Sequence, residues 1–236
     1  MLGELHKSQA LQYLEQELLL NMGMIEPIHR DTADILYAQK DGVLLFEKKS
    51  GAYMISVDCP DLAQKLIKSI TDAKLFAVHQ SFCLPIIQSK FVFKNQFKCS
   101  QAVYLNKTLI PSDGKIKIYK LNHTHIPVIL DNYHAMDDPD YITRLIESEQ
   151  IYGTFVMGNL AGFIGMHPEG SIGMLEVLPD FRRQGIGYAL ESYMVNLMMK
   201  KGWIPFCQVF ENNTNSIALQ KKLGFELSNQ YLYWLF

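Results

Sequence analysis

Leu175-Glu176-Val177-Leu178-Pro179-Asp180-Phe181-Arg182-Arg183-Gln184-Gly185-Ile186-Gly187-Tyr188-Ala189-Leu190 decides how the chain is read. The run from Ile172 to Leu178 is apolar apart from Gly173 and Glu176, as expected of a buried strand, and Pro179-Asp180 ends it. From Ile186 the large apolar residues fall at Leu190, Met194, Leu197 and Met198, a helical period. A strand therefore feeds a helix through a loop carrying two Arg and two Gly. The first turn of a helix has unpaired N–H groups and the positive end of the macrodipole, so it attracts phosphate. Gly185 and Gly187 let backbone approach a ligand that a Cβ would hold off.

Spacing separates the readings of this loop. No Gly-Lys-Ser/Thr follows at Walker distance, and the third glycine of a dinucleotide fingerprint is replaced by Leu190. A strand–helix turn that uses Gly for geometry alone stays open. Val177-Leu178-Pro179 followed by Arg182-Arg183-Gln184-Gly185-Ile186-Gly187 resembles the Arg/Gln-x-x-Gly-x-Gly/Ala acyl-CoA loop of the GNAT superfamily of N-acyltransferases. A second block, Asn213-Thr214-Asn215-Ser216-Ile217-Ala218-Leu219-Gln220-Lys221-Lys222-Leu223-Gly224-Phe225, resembles the Asn-x-x-Ser/Ala-x-x-Leu-Tyr-x-Lys-x-Gly-Phe block of the same superfamily. It reads as a helix capped by Asn213 or Thr214 and stopped by Gly224. The closing Lys-Leu-Gly-Phe and the aromatic stretch Tyr231–Trp234 look like the glycine N-acyltransferase-like branch.

The resemblance covers roughly residues 115 to 236 and implies a fold, a ligand and a set of roles. The fold is α/β (α+β): a mixed, mostly antiparallel sheet flanked by helices over 111–236, with a smaller N-terminal α/β domain over 1–110 that echoes it as a degenerate half. Acetyl-CoA is the implied co-substrate. Its pyrophosphate would sit on amides of Arg183 to Tyr188, with Arg182 and Arg183 serving phosphate charge and Gln184, Ile186 and Tyr188 within the cradle. Its pantetheine arm would pair with backbone near Glu176, Val177 and Leu178 in the gap before the next strand. Asn213 and Ser216 complete the implied cofactor set, and the Val177 amide would polarise the thioester carbonyl.

Glu176 is the candidate base, because a carboxylate on a central strand needs either a cleft or a partner. A rim pair with Lys or Arg is the competing reading, and Glu169 is a weaker choice because a turn usually solvates its carboxylate. Gln220 stands where many family members carry a Tyr that protonates the leaving thiolate, and an amide cannot do so. Water, Tyr188 or Tyr193 would take that role; otherwise the domain is a catalytically silent acyl-CoA sensor or interaction module.

Across 236 residues, 24 acidic side chains nearly balance 22 basic ones, so bulk charge draws the chain to neither nucleic acid nor an anionic membrane. No apolar run approaches the ~20 residues of a membrane span, and no basic-then-apolar leader opens the sequence. A cytoplasmic protein follows. Cys59, Cys83, Cys99 and Cys207 lack zinc-site spacing and read as buried free thiols. His123, His125 and His134 do not share a helix face, so no metal is expected; they read as surface or capping residues, with one of them lining an acceptor pocket as the alternative. His79 and Cys83, four apart, read as a structural pair.

Residues 4–22 are expected to form an amphipathic helix ended by a turn at Gly23 to Pro27. Hairpins follow over 35–57, then a helix at Pro60, a strand at 75–78, a helix at 84–89 and a strand at 97–105. A linker near 110 leads to a strand at 115–121, helices at 123–131 and 139–148, a hairpin over 151–167, and a strand at 203–210 after the organising helix. The resemblance implies a small-molecule or peptide amine acceptor as the partner. The N-terminal domain supplies either one wall of the acceptor cleft or a homodimer surface.

Overall fold

The computed structural model describes residues 2–112, 114–133 and 138–236, and these gather into two compact units, each discontinuous in sequence. The first contains Met1–Val103, Gln208–Ala218 and Glu226–Phe236, and the second Tyr104–Cys207 and Leu219–Phe225. The sequence-based boundary near 110 lies close to the first crossing, but the chain later returns to the first unit twice.

In the first unit, helices α1 (Leu2–Leu14) and α2 (Leu18–His29) precede the antiparallel meander β1 (Ala33–Gln39), β2 (Gly42–Glu47) and β3 (Ala52–Val57). Helix α3 (Pro60–Ser69) then leads to β4 (Phe76–Val78), which is parallel to β3, followed by α4 (Cys83–Gln88) and β5 (Gln96–Val103). The later part of the chain repeats that order after a short edge strand β6 (Ile118–Lys120). Helices α5 (Ile126–Asn132) and α6 (Pro139–Glu147) precede the meander β7 (Ile151–Val156), β8 (Asn159–Met166) and β9 (Ile172–Val177). Helix α7 (Ile186–Lys200) leads to β10 (Phe206–Phe210), parallel to β9, and then come α8 (Thr214–Leu223) and β11 (Glu226–Leu235). The echo between the halves is therefore one of element order.

Strand β11 belongs to the first unit, where it runs antiparallel to both β4 and β5, with Tyr233 opposite Val78 on one side and Lys98 on the other. Its Leu235 is fully buried among Ile55, Leu66 and Phe76. The second unit packs Ile129 of α5 and Ile142 and Leu145 of α6 onto Phe163 of β8 and Met174 of β9.

Three expectations need correction. Helix α2 runs through Gly23 and Pro27 to His29, and the break falls earlier, in a 3₁₀ turn at Glu15–Glu17. Every residue from Leu20 to Ile28 is buried. Burying Leu20, Met22, Met24, Ile25 and Ile28 at roughly 1.5–3 kcal/mol each outweighs the ~1 and ~3 kcal/mol propensity costs of Gly and Pro. The strand expected over 115–121 pairs only at Ile118–Lys120. Cys59 is exposed, while the other three thiols are buried. Among the described residues no helix is long and apolar enough to cross a membrane.

Candidate functional site

Strand β9 is paired on one side and nearly unpaired on the other. Against β8 it runs antiparallel, with Glu176 opposite Phe163 and Gly173 opposite Gly165. Two residues of β9, Met174 and Leu175, thus face one of β8. Met174 takes the bulge in a left-handed backbone conformation, φ 57°. Against β10 the only registered pair is Ile172 with Cys207. Leu178 donates its N–H to the Ala161 carbonyl at 3.0 Å, so alternation turns the backbone groups of Val177 away from β8. The Val177 carbonyl accepts from Arg182 Nε at 2.9 Å. Its N–H points to the side on which pairing with β10 has ended.

Beyond β9 a 3₁₀ turn, Pro179–Phe181, carries the chain into the glycine loop. Arg183 (φ 64°) and Gly185 (φ 82°) both adopt the left-handed conformation. Gly185 is the N-cap of α7, and no side chain caps that helix. The first amides of α7 are therefore available to an anion. Gly187 has ordinary helical backbone; a Cβ there would lie 3.5 Å from Val177 Cγ2 and 3.9 Å from Leu219 Cδ2. Its value is the open space over the helix terminus rather than its torsions. Arg183 and Gln184 are exposed, and the Gln184 side chain reaches back to the Asp180 carbonyl at 3.4 Å. Tyr188 carries Lys222 Nζ 5.4 Å from its ring centre.

Glu176 is half-buried, its side chain 30% exposed, and Arg182 Nη2 lies 3.2 Å from its Oε1. The rim pair is thus formed, and Arg182 is directed at β9 through both its carboxylate and carbonyl contacts. Asn213 accepts from the Ser216 N–H at 3.0 Å, so its side chain caps α8 within the first unit. Tyr193 packs against Tyr152, ring centres 5.2 Å apart.

The sequence reading missed Glu191 altogether. It is 2% exposed on α7, and Gln220, also 2% exposed, hydrogen-bonds it. Burial pushes the Glu191 carboxyl up to about 7, against the weaker opposing effect of the Gln220 amide. Burial of the neighbouring Cys207 thiol, reinforced by the charge of Glu191, holds it well above its ordinary range. The signal was present: Gly187, Glu191, Val195 and Met198 share one helical stripe, and a carboxylate in such a stripe is anomalous.

His125 Nδ1 accepts from the Asn122 N–H at 3.2 Å at the start of the α5 region, and His134 lies outside the described residues. His79 is buried with Nδ1 3.1 Å from the Ile55 carbonyl; desolvation pushes its imidazole down to about 4 and the Cys83 thiol up to about 12. Among the described residues no three His, Cys, Asp or Glu side chains gather as a metal site.

Residues 151–235, from β7 to the end of β11, match the FR47-like protein family. No curated protein sequence matches the chain. An acetyltransferase of the GNAT family from Colwellia psychrerythraea superposes with a TM-score of 0.56 at 16% identity, covering 100% of this chain and 96% of its own. A putative GNAT acetyltransferase from Novosphingobium aromaticivorans gives 0.55 at 14% identity, with 98% and 95% covered. A Drosophila protein gives 0.63 at 18% identity, with 82% and 73% covered. The likeness to GNAT structures spans both units, and nothing in it singles out the glycine N-acyltransferase-like branch.

Proposed function

Because this chain has the GNAT fold, we propose that it is an acyl-CoA-dependent N-acyltransferase, with acetyl-CoA as donor and an amine as acceptor, both bound before transfer. The observation that carries this reading is the junction of an uncapped, glycine-opened helix terminus with a β9 edge whose pairing stops at Ile172. Amides of Ile186, Gly187 and Tyr188 suit a pyrophosphate, with Arg183 free to add charge from the exposed loop. The amide-bearing pantetheine arm suits the unpaired edge of β9 as a short added strand.

The chemistry asks little of the protein. Glu176, released from Arg182 by the entering acceptor, takes a proton from the ammonium, and the neutral nitrogen attacks the thioester carbonyl. The Val177 N–H stabilises the negative charge that develops on oxygen. As the tetrahedral intermediate collapses, the new C–N bond remains and the C–S bond breaks, with its electron pair leaving on sulfur. The nitrogen gives up its second proton, and the thiolate takes one up.

We place this activity in residues 111–236. For residues 1–110 we propose no second acyl-CoA cradle, since there β3 passes to α3 through Asp58-Cys59-Pro60, a connection without glycine, and a homodimer surface is their proposed role. Cytoplasmic residence belongs to the same reading.

A second reading, a silent acyl-CoA sensor, is favoured by the Arg182–Glu176 pair and by Gln220 in place of a proton donor. Calorimetric titration with acetyl-CoA and free CoA, followed by thiol release across an amine panel, separates the two. Saturable binding with turnover supports the enzyme, and binding without turnover supports the sensor. Absence of binding removes both.

A further inference from the structure

The first unit has a pocket of its own, at the end of the sheet where β4 and β5 begin and β11 finishes. Its volume is about 520 Å³, within the range of small-molecule sites. The connection from α3 to β4 lines it with Asp72 and Lys74, and the connection from α4 to β5 lines it with Lys90, Phe91, Val92 and Lys94. Phe236 lines it as well. It is tied to the second connection by Asn95 N–H to the Phe236 carbonyl at 2.7 Å and by Phe236 N–H to the Asn95 carbonyl at 3.2 Å.

Three ammonium groups thus line the pocket with one side-chain carboxylate, that of Asp72. Lys90 is held in place: its Nζ donates to the carbonyls of Ile67, Lys68 and Ile70 at 3.1, 2.8 and 2.5 Å, closing the open end of α3. All three of its hydrogens are used there, so it lends the pocket a fixed charge and no further hydrogen bond. Lys74 and Lys94 differ. Both are exposed, and among the described residues neither side chain has a hydrogen-bonding or ion-pairing partner. Phe91 belongs to the core of the first unit at 9% exposed, while Val92 beside it is turned out to solvent at 98%.

We propose that this pocket is a second ligand site, and that it binds a phosphate monoester with a flat, largely apolar body, of the nucleoside monophosphate type. Three lysines and one aspartate leave two positive charges, which match a phosphate dianion, whereas a monocarboxylate leaves one unmatched. Lysine meets phosphate as a point charge and needs no fixed fork to do so. Lys74 and Lys94 donate to the phosphate oxygens, Lys90 supplies the field behind them, and the organic body covers Val92 and Phe236. The site does not depend on the acyl-transfer reading, since the glycine loop of α7 belongs to the other unit.

The test is calorimetric titration of the whole protein with adenosine 5′-monophosphate and with adenosine. Three proteins are compared: the unaltered chain, the double variant Lys74→Gln/Lys94→Gln, and Gly187→Leu, which fills the glycine loop. Lys90 is left alone because it closes α3. The monophosphate is expected to bind the unaltered protein at least about tenfold more tightly than adenosine, and the double variant is expected to lose that advantage. Gly187→Leu is expected to keep it. Val92→Glu, which sets a carboxylate at the exposed wall, is expected to weaken binding by a similar factor. Absence of binding, equal affinity for the two ligands, or affinity kept in the double variant would overturn the site. Loss of binding in Gly187→Leu alone would overturn it too, by placing the phosphate on the α7 loop.

Discussion

Glu191 and Gln220 hydrogen-bond one another in the interior of the second unit, and each keeps a further side-chain oxygen without a partner. A carboxylate so enclosed is disfavoured in its charged form, which makes it a pH-dependent liability. Its folded pKa of about 7 lies above the ordinary 4.5, so between those values the folded state holds a proton that the unfolded chain has lost. Stability from this group is complete below the ordinary value and is lost as pH rises through about 7, a loss on the order of 3 kcal/mol. Glu191→Gln, a neutral isostere, is expected to flatten that decline. His79, whose pKa is pushed down to about 4, acts in the opposite sense below its ordinary value, so the informative quantity is the difference between variant and parent. Denaturant melts at several pH values check it; parallel curves for the two proteins would remove Glu191 from the account.

The two loop glycines are expected to respond differently. Gly185 sits at φ 82°, so Gly185→Ala carries a backbone penalty of about 1–2 kcal/mol even though nothing lies within 4 Å of its Cβ position. At Gly187 a methyl finds only ordinary contacts, so Gly187→Ala is expected to fold normally, whereas Gly187→Leu fills the space above the helix terminus. The measurement is acetyl-CoA affinity by calorimetry. Unchanged affinity in Gly187→Leu would sink the assignment of this loop.

Glu176→Gln separates the two readings of its carboxylate. The pair with Arg182 is largely solvent-exposed on the arginine side, so losing it is expected to cost under about 1 kcal/mol of stability. As the base, its loss is expected to lower kcat about 100-fold while leaving acetyl-CoA affinity in place. Full turnover in the variant would assign proton removal to another group.

Much of this was legible because it is local. The hairpins over 33–57 and 151–166, the β9–loop–α7 passage and the Gly224 stop all follow from period, turn residues and caps within a few positions. What escaped depends on distant partners. Pro27 stays inside α2 because of burial, not propensity, and the bulge at Met174 exists only against β8. Glu169 looked like any turn carboxylate until its burial appeared.

Strand β11 has a consequence for how the protein is made. Its residues fill the place between β4 and β5, yet they are translated only after the whole of the second unit. Until then the first unit has two strand edges awaiting the same partner, a state open to mispairing and to capture by chaperones. A fragment ending near residue 110 would be caught permanently in that state. The first unit therefore cannot be assumed to fold ahead of the second, and a nonsense mutation upstream of Glu226 would damage the half of the protein that had been translated long before.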